Sequence, residues 1–130
     1  MLGTDIILIE DDSLVGELSR DLLKDAGYTV HLVQNSHDAV PAIKAAMPRL
    51  IIADIMLPGV SGLDICKTVK ADPALKHINI MVVSGKAYQQ DMRRALRLGA
   101  AYFLAKPFNK KTYINAVKRI IDGSAHKKEA

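Results

Sequence analysis

A chain of 130 residues, 49% of them hydrophobic and 25% charged, has the composition of one ordinary globular domain large enough to bury a real core. Its uninterrupted apolar stretches, at Ile6 to Ile9, Leu50 to Ala53 and the Gly-containing run Leu98 to Ala105, fall short of the roughly 18 residues a membrane span needs, which argues against membrane insertion. The net charge of +4 is uneven: residues 1–85 carry 7 basic and 11 acidic side chains and residues 86–130 carry 11 and 3, yet no helix-turn-helix, zinc-finger or basic-aromatic pattern supports direct nucleic-acid binding.

Short β-type runs alternate with segments of helical period, which predicts an α/β parallel sheet with crossover helices built from five units. The first strand is expected at Ile6 to Ile9. A helix over Leu14 to Ala26 follows, with apolar positions Leu14, Leu18, Leu22 and Ala26 turned inward and Gly27 ending it. The second unit pairs Thr29 to Val33 with a helix near His37 to Met47, using Val40, Ile43 and Met47, where Pro41 is expected to distort the first turns. Leu50 to Ala53 is continuously apolar and reads as a central strand buried on both faces, placing Asp54 at its carboxyl end. A loop with Pro58, Gly59 and Gly62 leads to a helix over Leu63 to Lys70, and Asp72-Pro73 breaks the chain before the strand Ile80 to Val83. A fourth helix around Gln89 to Leu98 puts Met92, Ala95, Leu96 and Gly99 on one side. The fifth strand is Ala101 to Leu104, and the fifth helix, Lys110 to Ile121, buries Tyr113, Val117, Ile120 and Ile121. One domain over residues 1–122 and a frayed polar tail over 123–130 complete the reading.

Met1 to Asp5 lacks the basic-then-apolar pattern of a secretion signal, so the cytoplasm is the expected compartment. Cys66 stands alone, which excludes an internal disulfide and paired-cysteine zinc sites and leaves it a small core residue. His31, His37, His77 and His126 fit no metal-ligand or triad spacing and read as surface or boundary residues.

The polar residues that follow the strands converge. Glu10, Asp11 and Asp12 follow the first, Asp54 the third, Ser84 the fourth and Lys106 the fifth, all on the carboxyl edge where open α/β sheets bind ligands. Several carboxylates meeting there repel one another, and a hard divalent cation is the usual resolution; an oxygen-only donor set suits magnesium (Mg2+). Lys106 supplies a positive charge for a phosphate oxygen, Ser84 a small hydroxyl donor, and Asp54 a carboxylate placed to act as a nucleophile. This is the inventory of phosphoryl transfer.

The segments Ile-Leu-Ile-Glu-Asp-Asp, Asp54-Ile-Met-Leu-Pro-Gly with Gly62-Leu63-Asp64, Val-Val-Ser84-Gly, and Leu98-Gly-Ala with Lys106-Pro107-Phe108 resemble the response-regulator receiver family over about residues 5–121. The resemblance implies a flavodoxin-like (βα)5 doubly wound five-stranded parallel sheet of order 2-1-3-4-5. It also implies an acidic pair at Glu10 and Asp11, a phosphoacceptor at Asp54, a metal-binding backbone carbonyl at Met56, a switch hydroxyl at Ser84 and the partner lysine at Lys106. Pro107 is expected to follow a cis peptide bond, and Phe103 takes the aromatic switch position without the hydroxyl that a tyrosine would carry.

A two-component phosphorelay function follows from the resemblance: Asp54 takes a phosphoryl group from a sensor histidine kinase or histidine phosphotransfer protein with Mg2+, and the chain changes shape to control an effector. The added charge draws in Ser84, lets Phe103 turn inward, and biases the surface of helix four, strand five and helix five. That surface is expected to carry Lys86, Arg93, Arg94, Arg97, Lys110, Lys111, Lys118 and Arg119 and to suit an acidic partner, although scattered basic side chains are also ordinary solvated charge. Lys86 is expected near the pocket mouth. Asp12 precedes Ser13 and reads better as a helix cap than as a metal ligand, and Asp64 and Asp72 as helix-start or loop residues. Two other functions would leave different marks on the sequence. A binding-only receiver should lack Asp54, the acidic pair or the lysine, and a turnover enzyme should show a Gly-x-x-x-x-Gly-Lys loop, an Asp-x-Asp after the first strand or a cap domain; neither expectation is met.

Overall fold

The computed structural model of the chain describes residues 3–85 and 89–126, the last three by backbone alone. Lys86 and residues 127–130 lie outside the described residues. Five strands, β1 (Ile6–Ile9), β2 (Val30–Val33), β3 (Leu50–Asp54), β4 (Asn79–Ser84) and β5 (Tyr102–Ala105), pair in parallel in the order β2-β1-β3-β4-β5. The register aligns Ile9 with Ala53, and Asp54 with Val83, so the ends of the three central strands lie abreast.

Alternate residues of each strand feed two separate cores. Ile7, Ile9, Ile51, Ala53, Ile80 and Val82 pack under α2 (Ala39–Ala46), α3 (Gly62–Ala71) and α4 (Gln89–Arg97), whereas Ile6, Leu8, Leu50, Ile52, Met81 and Val83 pack under α1 (Ser13–Asp25) and α5 (Lys110–His126). A sheet covered on both faces needs apolar side chains on both, which is why β3 is buried along its whole length.

Helix α1 departs from expectation. Leu14 and Leu18 are 65% and 57% exposed, while the helix buries Gly16 and Leu23. Gly16 lets the helix approach β2 closely: a Cβ there would stand 3.0 Å from a Leu32 methyl. The Leu14-Leu18-Leu22 ridge is thereby rotated toward the flank of the molecule. Met47 also differs from its expected place in the core. Pro48 disfavours a helical conformation at the preceding residue, so α2 stops at Ala46 and Met47, 38% exposed, turns left-handed at φ 47°. Pro41 leaves α2 regular because it is the third helical residue, where the backbone N–H has no intrahelical partner to lose; a 3₁₀ turn over Ser36–Asp38 precedes the helix. On α4 only Ala95 is buried, and Met92 and Leu96 face outward. α5 continues to His126, five residues past the expected end at Ile121.

Cys66 is buried, its thiol donating toward the Leu98 carbonyl at 3.6 Å, and burial raises its pKa. Among the described residues no helix is long and apolar enough to cross a membrane.

These burials set a contrast that urea denaturation measures. Leu23→Ala is expected to cost about 2 to 5 kcal/mol, whereas Leu18→Ala changes stability by less than about 0.5 kcal/mol despite sharing the helix.

Candidate functional site

Four residues meet at the carboxyl edge of the sheet. Glu10 directly follows β1, Asp54 ends β3, Ser84 ends β4 and Lys106 directly follows β5. Glu10, Asp54 and Ser84 are buried, at 6%, 7% and 0% exposure. The Lys106 ammonium donates to Asp54 Oδ2 at 2.8 Å and reaches Glu10 Oε1 at 3.4 Å, bridging side chains that are 52 and 96 residues away in sequence. Its backbone N–H donates to the Ser84 carbonyl at 2.7 Å, which seats the β5 end against the β4 end, and the Lys106-Pro107 peptide bond is cis.

Each carboxylate is also fixed from the main chain. Asp54 Oδ1 accepts from the Met56 N–H at 2.8 Å, and Glu10 Oε2 accepts from the Asp12 N–H at 3.2 Å. Asp12 in turn caps α1, its Oδ1 accepting from the Val15 N–H at 3.0 Å, which is the cap reading of that residue. Asp64 joins Ser61 in a capping box at the start of α3, and Asp72 Oδ1 accepts from the Ala74 N–H. The Met56 N–H contact has no signal in the sequence, because any residue two places past a carboxylate offers the same donor. Gly62 is legible as part of a motif, but its purpose is spatial: a Cβ there would lie 2.5 Å from the Asp54 carbonyl oxygen, so only glycine lets α3 start against the end of β3.

Burial raises the Glu10 pKa and the Asp54 charge adds to this, against the opposing Asp12 N–H and Lys106. Burial alone would depress Lys106, but its hydrogen bond to Asp54 and the charges of Asp54 and Glu10 outweigh that, and its pKa is raised. Asp11 is exposed at the rim, where its carboxyl contacts Glu10. Among the described residues no three His, Cys, Asp or Glu side chains are gathered as a ready metal cluster. The donors that are present are all hard oxygens. Phe103 on β5 is half-buried against the core on the α2, α3 and α4 face.

The expected basic surface is divided. Arg93, Arg94 and Arg97 are exposed on α4, and Arg119 stands beside Tyr102 of β5, but Lys110, Lys111 and Lys118 line a cleft with Leu22 and Asp25 of α1. Adjacent helical residues point about 100° apart, so Lys118 and Arg119 face different neighbours.

The response regulator receiver domain family matches residues 6–118. The chain belongs to this family. This receiver domain is 33% identical over 113 residues to the polar-differentiation response regulator DivK of Brucella anthropi, a match covering 87% of the chain and 92% of DivK. It is 30% identical over 116 residues to the transcriptional regulatory protein BaeR of Escherichia coli, covering 89% of the chain but only 47% of that longer protein. The signal receiver domain of a signal transduction histidine kinase from Syntrophus aciditrophicus has the same fold, with a TM-score of 0.84 at 29% identity, covering 93% of this chain and 92% of that one. Receiver domains are signalling modules of two-component systems.

The raised Glu10 pKa has a definite sign. A carboxyl whose folded pKa lies above its unfolded value favours folding when protonated, and that contribution is lost as pH rises through the folded pKa. In metal-free solution Glu10→Gln is therefore expected to raise the urea midpoint at pH 7 relative to wild type, with the gap closing as pH falls toward the model-peptide value of 4.5; a gap constant across that range would contradict it.

Proposed function

We propose that this receiver domain accepts a phosphoryl group on Asp54 from a sensor histidine kinase or histidine phosphotransfer protein in a Mg2+-dependent reaction, and passes the signal on by a change of conformation. The observation that carries the reading is the Lys106 ammonium poised at 2.8 Å from a buried Asp54 carboxylate at a strand end. Asp11, Asp54 and the Met56 carbonyl, with Glu10 behind them, are the residues that would hold the cation, and their oxygen-only chemistry fits it. Magnesium, when bound, supplies neutralising charge to the phosphoryl oxygens. The chain's own residues do the rest. An Asp54 oxygen forms the new bond to phosphorus as the phosphorus–nitrogen bond of phosphohistidine breaks, its electron pair staying on the imidazole. Lys106 exchanges its bond to Asp54 for one to a phosphoryl oxygen, and the Ser84 hydroxyl donates to another.

The new group brings about −1.5 to −2 charges into a buried corner. Ser84 moving toward it vacates space on the side of Phe103, whose ring turns inward and alters the α4-β5-α5 surface. Arg93, Arg94, Arg97 and Arg119 on that surface suit an acidic effector. The domain signals, without turning over an external substrate, in the cytoplasm.

Docking of the donor is supported by the exposed α1 ridge. A groove of about 440 Å³ runs between Val15, Leu18 and Leu22 of α1 and Pro107 and Phe108, and Lys106, the residue bonded to Asp54, forms part of its wall. A partner helix lying there brings its histidine to Asp54.

Two measurements test this. Acetyl phosphate with magnesium should add one phosphoryl group to wild type by intact mass and none to Asp54→Ala; no gain in wild type that binds magnesium would favour a binding-only module. Leu18→Asp should slow phosphotransfer from the donor protein by at least about tenfold, since a charge in a desolvated contact costs upward of 1.4 kcal/mol, while leaving the acetyl phosphate rate unchanged. An unchanged rate of phosphotransfer from the donor protein would place the donor elsewhere, and equal slowing of both rates would mean that the substitution damages the site rather than a docking contact.

A further inference from the structure

Among the described residues four polar or charged side chains are buried, and three of them, Glu10, Asp54 and Ser84, belong to the site. The fourth is Ser36, 5% exposed, in the turn between β2 and α2. Its hydroxyl donates to the Pro58 carbonyl at 2.8 Å and accepts from the Val60 N–H at 3.3 Å. Both partners of the hydroxyl lie on the loop between β3 and α3, the loop that follows Asp54 and carries Met56.

The loop is held at three levels. Met56 is tied to Asp54 at its start, and Ser61 and Asp64 form the capping box at its end. Its middle carries one short-range bond, from the Val60 N–H to the Pro58 carbonyl at 3.1 Å, and both of those groups are also held from outside, by Ser36. The neighbouring His37 closes on the same stretch: Gly59 stands at φ +82°, and a Cβ there would be 2.8 Å from His37 Nε2. The turn that presents Ser36 and His37 is itself braced, since Asn35 Oδ1 accepts from the His37 N–H at 3.0 Å. Without the Ser36 hydroxyl, the Pro58 carbonyl and the Val60 N–H keep only their bond to each other, the tie from this stretch to the turn before α2 is lost, and the exposed Pro58 to Gly59 tip moves outward to water.

We propose that Ser36 is a positioning residue for the Asp54 loop, holding Pro58 to Val60 so that the Met56 backbone stays in register with the Asp54 carboxylate. Ser36 acts through the loop and touches neither phosphoryl group nor cation. The inference rests on the proposed Mg2+ role of Met56 for its functional effect, but its structural part stands in the metal-free protein.

The test is Ser36→Ala, with Asp72→Ala as a control that removes a comparable hydrogen bond far from the loop. In metal-free protein, amide hydrogen exchange at Met56 and Val60 should quicken by about tenfold in Ser36→Ala while core amides such as Leu23 and Ile52 stay protected. Calorimetric titration should show magnesium binding weakened by about fivefold, and the acetyl phosphate rate at saturating magnesium should change by less than about twofold. Asp72→Ala should show none of this at the loop. Unchanged exchange at Met56 and Val60 in Ser36→Ala overturns the inference, as does equal quickening across the core. If wild type binds no magnesium, the proposed function fails by itself, and the exchange data still decide whether Ser36 holds the loop.

Discussion

An ammonium group lodged between two buried carboxylates is the contact on which the arrangement of the whole carboxyl edge depends. Lys106 comes from the strand at one side of the sheet, Asp54 from its centre and Glu10 from the strand beyond, so the contact exists only if β1, β3, β4 and β5 lie in this order and end abreast. Its electrostatics are unbalanced. One cation faces two buried acids with Asp11 at the rim, which leaves a deficit of positive charge, and the Asp54 charge adds to the burial that raises the Glu10 pKa. Under the proposed function this is the condition that would favour a cation and let the lysine be drawn to a new anion, since Asp54 is not Lys106's sole partner.

The backbone supplies what side chains do not. One N–H fixes each carboxylate, and the residue that donates to Glu10 is the same Asp12 whose side chain caps α1. The start of the helix and the orientation of the acid are therefore set together. Gly62 does the equivalent for α3, letting its first turn rest on the Asp54 carbonyl. The acids are thus positioned by element ends, and the stretch around Pro58 to Val60 is braced from another loop.

The strands and the polar residues at their ends were legible in the sequence, because a strand buried on both faces is written as an apolar run and its end as the first acid, serine or lysine after it; the strand order followed only from the resemblance to receivers. Helix faces were less legible. Leu14, Leu18 and Leu22 repeat at the spacing of a buried stripe, yet Leu14 and Leu18 are exposed, because helical period reports that a stripe exists without saying what covers it. Gly16 was the available clue, a small residue on the opposite side of the helix where close approach to β2 is needed. Met47 was misplaced for a different reason: the apolar spacing outlasted the helix, and Pro48 carried the stop signal. The contacts of Met56 and Ser36 are made by groups that every loop contains, and only their folded neighbours distinguish them.

The exposed α1 ridge and the arginines of α4 are served by different cores, one on each side of the sheet. On α5 the separation narrows to neighbouring residues, Lys118 turned to α1 and Arg119 to β5. Under the proposed function this places the face that listens and the face that speaks on independent scaffolds. After gene duplication, changes at Leu14 and Leu18 would retune which donor is heard without disturbing the addressee, and changes along Arg93 to Arg97 would do the reverse, so new signalling lines can diverge one end at a time without passing through a misfolded intermediate.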